Sequence, residues 1–146
     1  MTLYREEFSI REMDFARAGE ASIRIKNVLK EIGADSSLVH RAAICAYEAE
    51  MNEVMYGRGG RMTLELTEDQ VLILVEDDGP GIADLDLALT EGYSTATHEM
   101  REMGFGAGMG LPNIKRNAGR FKIDSAPGRG SRLEIVFDTG WRDKGS

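Results

Sequence analysis

Gln70-Val71-Leu72-Ile73-Leu74-Val75-Glu76-Asp77-Asp78-Gly79-Pro80-Gly81 contains a continuous apolar run that stops at two carboxylates and a glycine turn. Such a run suits the central strand of a sheet, with its acidic end delivered to one rim. A central strand needs neighbours, and they are close by. Residues 61–67 read as a strand joined to 70–76 by Glu68 and Asp69 as a tight turn. Downstream, 120–125 and 131–138 flank the turn Pro127-Gly128-Arg129-Gly130. Tyr4 to Ile10 reads as a first strand whose charged positions suit a sheet edge.

The remaining segments carry helical spacing. Asp14 is placed to cap a helix over 15–32, with Ile25, Val28, Leu29 and Ile32 on one side and Gly33 after its end. Asp35 or Ser36 caps a second helix that runs to about Tyr56 and stops at Gly57. Its expected buried stripe is Ile44, Tyr47, Met51, Val54 and Met55. A short helix over 85–90 follows Asp84, and a polar stretch over 92–105 is too long for a simple connection. A last helix over 111–118 has Pro112 near its first turn and Gly119 beyond its end.

Paired strands with short turns predict an α+β, two-layer sandwich with a mixed, mainly antiparallel sheet and helices on one face. A doubly wound α/β topology would need regular alternation of strand and helix, which is absent.

The chain has 146 residues, which predicts one domain over 1–146 with a single core. Apolar residues at 42% and charged residues at 29% are ordinary for a soluble protein. No apolar run approaches the roughly 20 residues that cross a bilayer. Residues 1–5 lack the pattern of a signal peptide. The one cysteine, Cys45, cannot make an internal disulfide, so a cytoplasmic location and a core position are expected. A net charge of −7 without a Lys/Arg cluster argues against nucleic acid. A small anion still fits, provided one site supplies backbone N–H groups and a cation.

Seventeen glycines stand against three prolines, and they gather at 57–60, 79–81, 104–110 and 128–130. Between periodic segments, such clusters mark specialised turns.

Three motifs carry chemistry. Glu48-Ala49-Glu50-Met51-Asn52 puts Glu48 and Asn52 one turn apart on a helix face. The amide oxygen of Asn52 suits Mg, and Glu48 could take a proton from a hydroxyl. A solvated polar face explains the same residues. In Asp77-Asp78-Gly79-Pro80-Gly81-Ile82, Asp77 is an acceptor suited to the adenine amine, while Gly79 and Gly81 admit a flat base. A plain Asp-Gly-Pro-Gly turn fits too. Gly104-Phe105-Gly106-Ala107-Gly108-Met109-Gly110-Leu111 leads into a helix, where free N–H groups and the helix dipole favour phosphate. It could equally be a hinge, and neither a Rossmann fingerprint nor a P-loop fits it. Lys115 and Arg116 could add positive charge or simply line a solvated face.

Taken in order, Glu48-x-x-x-Asn52, Asp77-x-Gly79-x-Gly81 and Gly106-x-Gly108-x-Gly110 resemble the N, G1 and G2 boxes of the GHKL ATPases, whose ATP-binding domain is the Bergerat fold. Gly128-Arg129-Gly130-Ser131 is similar to that family's Gly-x-Gly-Thr turn, with Ser for Thr. The stretches 87–95 and 108–116 resemble the short bacterial anti-sigma-factor and switch-type serine kinases. The resemblance implies ATP and Mg²⁺ as cofactors, with Glu48 as general base and Asn52 as metal ligand. It implies Asp77 as the adenine acceptor, with Gly79, Gly81, Gly106, Gly108, Gly110, Leu111, Lys115 and Ser131 around the nucleotide. Residues 92–105 would form the lid.

Two departures matter. The basic residue that some relatives carry after the Asn is replaced by Met55 and Tyr56. Only His40 precedes the N box, within its own helix, which disfavours a sensor histidine kinase; His98 falls in the lid and reads as a surface residue. The resemblance implies a cytoplasmic serine/threonine kinase acting on a small regulatory protein, a phosphoacceptor domain or a sigma factor. A non-catalytic ATP-dependent anti-sigma or partner-switching module and a simple ATPase are the alternatives. Neither nucleic acid nor membrane is implied as a partner, and a homodimer is allowed.

Overall fold

The computed structural model describes residues 1–56, 60–77, 110–125 and 130–141. Its elements are β1 (Tyr4–Ile10), α1 (Glu20–Glu31), α2 (Ser36–Tyr56), β2 (Gly60–Leu66), β3 (Gln70–Asp77), α3 (Gly110–Asn117), β4 (Arg120–Ser125) and β5 (Ser131–Asp138). The expected short helix at 85–90 lies outside the described residues.

The strands form one sheet in the order β1-β2-β3-β5-β4. Every pairing among them is antiparallel. β3 is the central strand, as its apolar run predicts, and β1 is an edge. Along β3, Val71, Ile73 and Val75 are buried beneath the helices, while Leu72 and Leu74 on the other face are partly covered. Ile135 and Phe137 of β5 continue the same layer, fully buried. Burying each such side chain is worth about 1.5–3 kcal/mol.

The open face of the sheet is solvated by a lattice of charge. Arg61 lies 3.9 Å from Glu7 and 3.7 Å from Glu76, and Arg132 lies 4.0 Å from Glu76 and 3.0 Å from Glu134. Each pair is partly or fully exposed and stabilises by about 0–1 kcal/mol at most. The main core lies on the other face, between sheet and helices, with a smaller cluster of Met51 and Met55 beside it.

α2 packs against both α1 and α3. Its sheet-facing surface differs from the expected stripe. Met51, Val54 and Met55 are buried, but Tyr47 is 44% exposed, and the core is reached through Leu38, Ala42, Cys45, Ala46 and Ala49. Small side chains let the helix approach the sheet, leaving the bulky ring of Tyr47 outside. Cys45 is fully buried, as expected, and its thiol donates to the Ile114 carbonyl at 3.8 Å. Burial pushes that thiol up to about 12; the nearby negative charge of Glu48 also raises it, against the opposing pull of Arg41. At neutral pH it is an inert packing group.

The start of α1 is the larger correction. Asp14 does not cap it. Residues 12–13 and 15–19 form turns, and the helix begins at Glu20. Met13 sits at φ 60° and donates its amide to the Val54 carbonyl at 2.6 Å, strapping this segment to the end of α2. Phe15 packs there against Met51 and Met55. The cap comes instead from 28 to 31 residues away. Buried Glu50 accepts from the amides of Gly19 (3.0 Å), Ala21 (3.3 Å) and Ser22 (2.9 Å). A carboxylate at this position satisfies the free N–H groups of the first turn and complements the helix dipole.

Glu50→Gln keeps one acceptor oxygen and loses the charge. Urea denaturation should show a stability loss of about 1–2 kcal/mol with an unchanged circular-dichroism spectrum. An unchanged midpoint would mean that the cap contributes nothing.

Candidate active site

The half-buried side chains of Glu48 and Asn52 lie one turn apart on α2, between the core and solvent. They face α3. Asn113 donates its side-chain amide to Glu48 Oε1 at 3.1 Å. Asn52 lies against Gly110, the first residue of α3, where an added Cβ would stand 3.1 Å from Asn52 Oδ1 and 3.3 Å from its Nδ2. A larger residue there would push the Asn52 amide aside by a few tenths of an ångström, so glycine lets the helix start close to it. The amide therefore borders a helix N-terminus, where backbone N–H groups and the dipole attract anions.

Asp77 ends β3, half-buried, with Gly60 on one neighbouring strand and Ser131 on the other as its register partners. The Ser131 and Ser125 hydroxyls are 2.8 Å apart. The fold thus brings Glu48, Asn52, Gly110, Asp77 and Ser131 to one end of the α2–sheet interface. Leu111 is half-buried on α3, and Lys115 is exposed on the same helix. Gly79, Gly81, Gly106, Gly108 and the stretch 92–105, with His98, lie outside the described residues.

Glu53 was not foreseen. It follows Asn52, is 7% exposed, and hydrogen-bonds with Asp77. Its Oε2 has no hydrogen-bond partner among the described residues. Burial above all, then the hydrogen bond and the negative charge of Asp77, lift its carboxyl from the ordinary value of 4.5 up to about 9. Glu53 thus keeps its proton near neutrality and can donate it to Asp77. The signal for both buried acids was present: Glu50 follows Ala46, and Glu53 follows Ala49, by one helical turn on the packed face.

A carboxyl whose folded-state value lies above its unfolded one adds stability below the unfolded value. That stability is lost as pH rises through the folded value. The denaturation midpoint of the metal-free protein should therefore fall as pH climbs from about 5 to about 9, with Glu53→Gln flattening the slope. A slope identical in both proteins would contradict this account of the pair.

A one-sided α+β sandwich, with a carboxylate and an amide on one helix beside an acidic strand end, is the frame of an ATP-binding domain. The chain belongs to the family of histidine kinase-, DNA gyrase B-, and HSP90-like ATPases, which it matches over residues 24–140. It is 30% identical over 115 residues to the serine/threonine-protein kinase RsbT of Bacillus subtilis (strain 168), covering 76% of this chain and 80% of that one. The anti-sigma F factor of Pasteuria penetrans is 27% identical over 124 residues, covering 84% of this chain and 79% of its own. The anti-sigma F factor of Clostridium novyi (strain NT) is 29% identical over 92 residues, or 59% and 61% of the two chains.

Among solved structures, a chain of the SiaB-SiaC complex from Pseudomonas aeruginosa superposes with a TM-score of 0.61 at 13% identity, covering 93% of this chain and 89% of that one. The mycobacterial sensor histidine kinase MprB gives 0.51 at 14% identity, with 92% and 97% covered. At these identities the two structures speak for the fold alone. No helix among the described residues is long and apolar enough to cross a membrane.

Proposed function

We propose that the protein is an ATP-dependent serine/threonine kinase that phosphorylates a small regulatory partner protein in the cytoplasm. The observation that carries the reading is the pairing of Glu48 and Asn52 on one face of α2, both turned toward the start of α3. The likeness to a serine/threonine-protein kinase at 30% identity supports it.

Each residue then has a task. Asp77 accepts from the adenine amine, and Ser131 lies beside it across the ladder. Gly79, Gly81, Gly106, Gly108, Gly110 and Leu111 line the nucleotide, and Lys115 adds positive charge on α3. Among the described residues no three His, Cys, Asp or Glu side chains converge on a metal site. Asn52 supplies one hard amide oxygen, which fits an Mg²⁺ ion completed mainly by phosphate and water. The ion would neutralise the phosphate charge that develops during transfer. Glu48 takes the proton of the acceptor hydroxyl as that oxygen bonds to the γ-phosphorus, while ADP leaves with the electrons of the broken P–O bond.

The similarity to two anti-sigma factors favours a second reading, a module that binds a partner according to its nucleotide state without transferring phosphate. Incubation of γ-labelled Mg-ATP with small proteins encoded beside this one separates the two. Phosphoserine or phosphothreonine on a partner, located by mass spectrometry, is the expected result. Nucleotide-dependent partner binding with no label transferred would favour the module.

A further inference from the structure

Asn113 is placed unlike a surface residue. Its Nδ2 donates to Glu48 Oε1 at 3.1 Å, although 65 residues separate the two in sequence. Its Oδ1 accepts from Arg116 Nη2 at 3.0 Å. Its backbone carbonyl accepts from Asn117 Nδ2 at 2.8 Å. Both ends of the amide are therefore engaged. The guanidinium has only donors, so it takes the amide oxygen and turns the NH₂ group toward the carboxylate.

The consequence falls on Glu48. A glutamate has three side-chain torsions and two equivalent oxygens, and left alone it samples many orientations. A donor fixed on Oε1 selects one of them and leaves Oε2 to receive a proton. α3 carries that donor and also begins at Gly110 against Asn52, so one short helix lies against both motif residues of α2.

We propose that Asn113 is a positioning residue for Glu48: its amide holds Oε1, Arg116 locks the amide's orientation, and Oε2 is presented to the acceptor hydroxyl. This rests on reading Glu48 as the base. It adds a residue outside the three glycine and carboxylate motifs and gives Arg116 a task that a solvated helix face would not.

The test measures γ-phosphate release from labelled Mg-ATP by the full chain, with water as acceptor, together with Mg-ATP affinity by titration calorimetry. Asn113→Leu removes the donor at similar volume. It should lower kcat by about 10-fold to 100-fold, the scale of a misplaced catalytic group, while the Mg-ATP dissociation constant stays within about threefold. Asn113→His, whose Nδ1 can occupy the place of the amide nitrogen, should recover most of the loss. In a Glu48→Gln background, Asn113→Leu should change kcat by less than about twofold, since a residue acting through another has nothing left to act on.

Equal losses in both backgrounds, or no recovery with histidine, would reduce Asn113 to a tie between helices and overturn the proposal. If Glu48→Gln abolishes turnover while Asn113→Leu leaves it intact, only the positioning role falls. Should Glu48→Gln leave turnover unchanged, the base reading falls and takes this proposal with it.

Discussion

Replacing Glu48 by Gln should leave Mg-ATP binding within a few-fold and cut phosphoryl transfer by roughly 10²–10⁴, the contribution of a positioned general base. The substitution keeps the length of the side chain and one oxygen able to accept from Asn113, so the tie between α2 and α3 can persist. What disappears is the group that can take a proton. The split between affinity and rate is the diagnostic, because losing an interaction made only in the transition state lowers kcat without moving binding. Single-turnover transfer from γ-labelled ATP, run beside calorimetric titration, reads both. A parallel loss of affinity would assign Glu48 to nucleotide binding instead.

Asp77→Asn should weaken Mg-ATP binding by about ten- to a hundredfold, the value of a charge-assisted hydrogen bond at about 1.5–3 kcal/mol. Asp77 ends the central strand, its backbone paired on both sides, and its carboxylate is hydrogen-bonded to Glu53. The change trades an acceptor oxygen for a donor facing the adenine amine. The same geometry predicts rejection of GTP, which presents an oxygen where adenine presents its amine. Isothermal titration with the two nucleotides checks this, and equal affinity of the unmutated protein for both would remove Asp77 from base recognition.

Much of the architecture was legible because the signals were local. The apolar run at 71–75 marked the central strand, and β1, β4 and β5 occupy the spans their patterns predicted. The helix over 36–56 also falls where its cap and spacing put it. What escaped was set by tertiary contacts. The start of α1 depends on a carboxylate from another helix, so a search for a local cap finds Asp14 and misses Glu50. Tyr47 was given a core position by its place in the helical stripe, yet the buried face of α2 runs through Leu38, Ala42, Cys45, Ala46 and Ala49 and leaves Tyr47 exposed.

The site divides along the same line. Glu48, Asn52 and Asp77 announce themselves through fixed spacings, and the described residues bring them to one end of the α2–sheet interface. Glu53 belongs to no motif, and Asn113 lies in a stretch that carried a resemblance but no assigned role. A buried acid next to Asn52 becomes meaningful only once β3 lies beneath it, and Asn113 only once α3 meets α2. Chemistry carried by spacing is readable in one dimension; chemistry carried by contact is not.

We infer that the half-buried Glu48 and Asn52 of α2, the end of β3 and the start of α3 together hold Mg-ATP, with Glu48 at the transfer end. A crystal structure of the protein with Mg²⁺ and a non-hydrolysable ATP analogue tests it most directly. The expected result places the adenine amine on the Asp77 carboxylate, the metal on the Asn52 side-chain oxygen, and Glu48 beside the γ-phosphate without coordinating the metal. An analogue bound elsewhere, or bound here with its base turned away from Asp77 and its γ-phosphate away from Glu48, would contradict it.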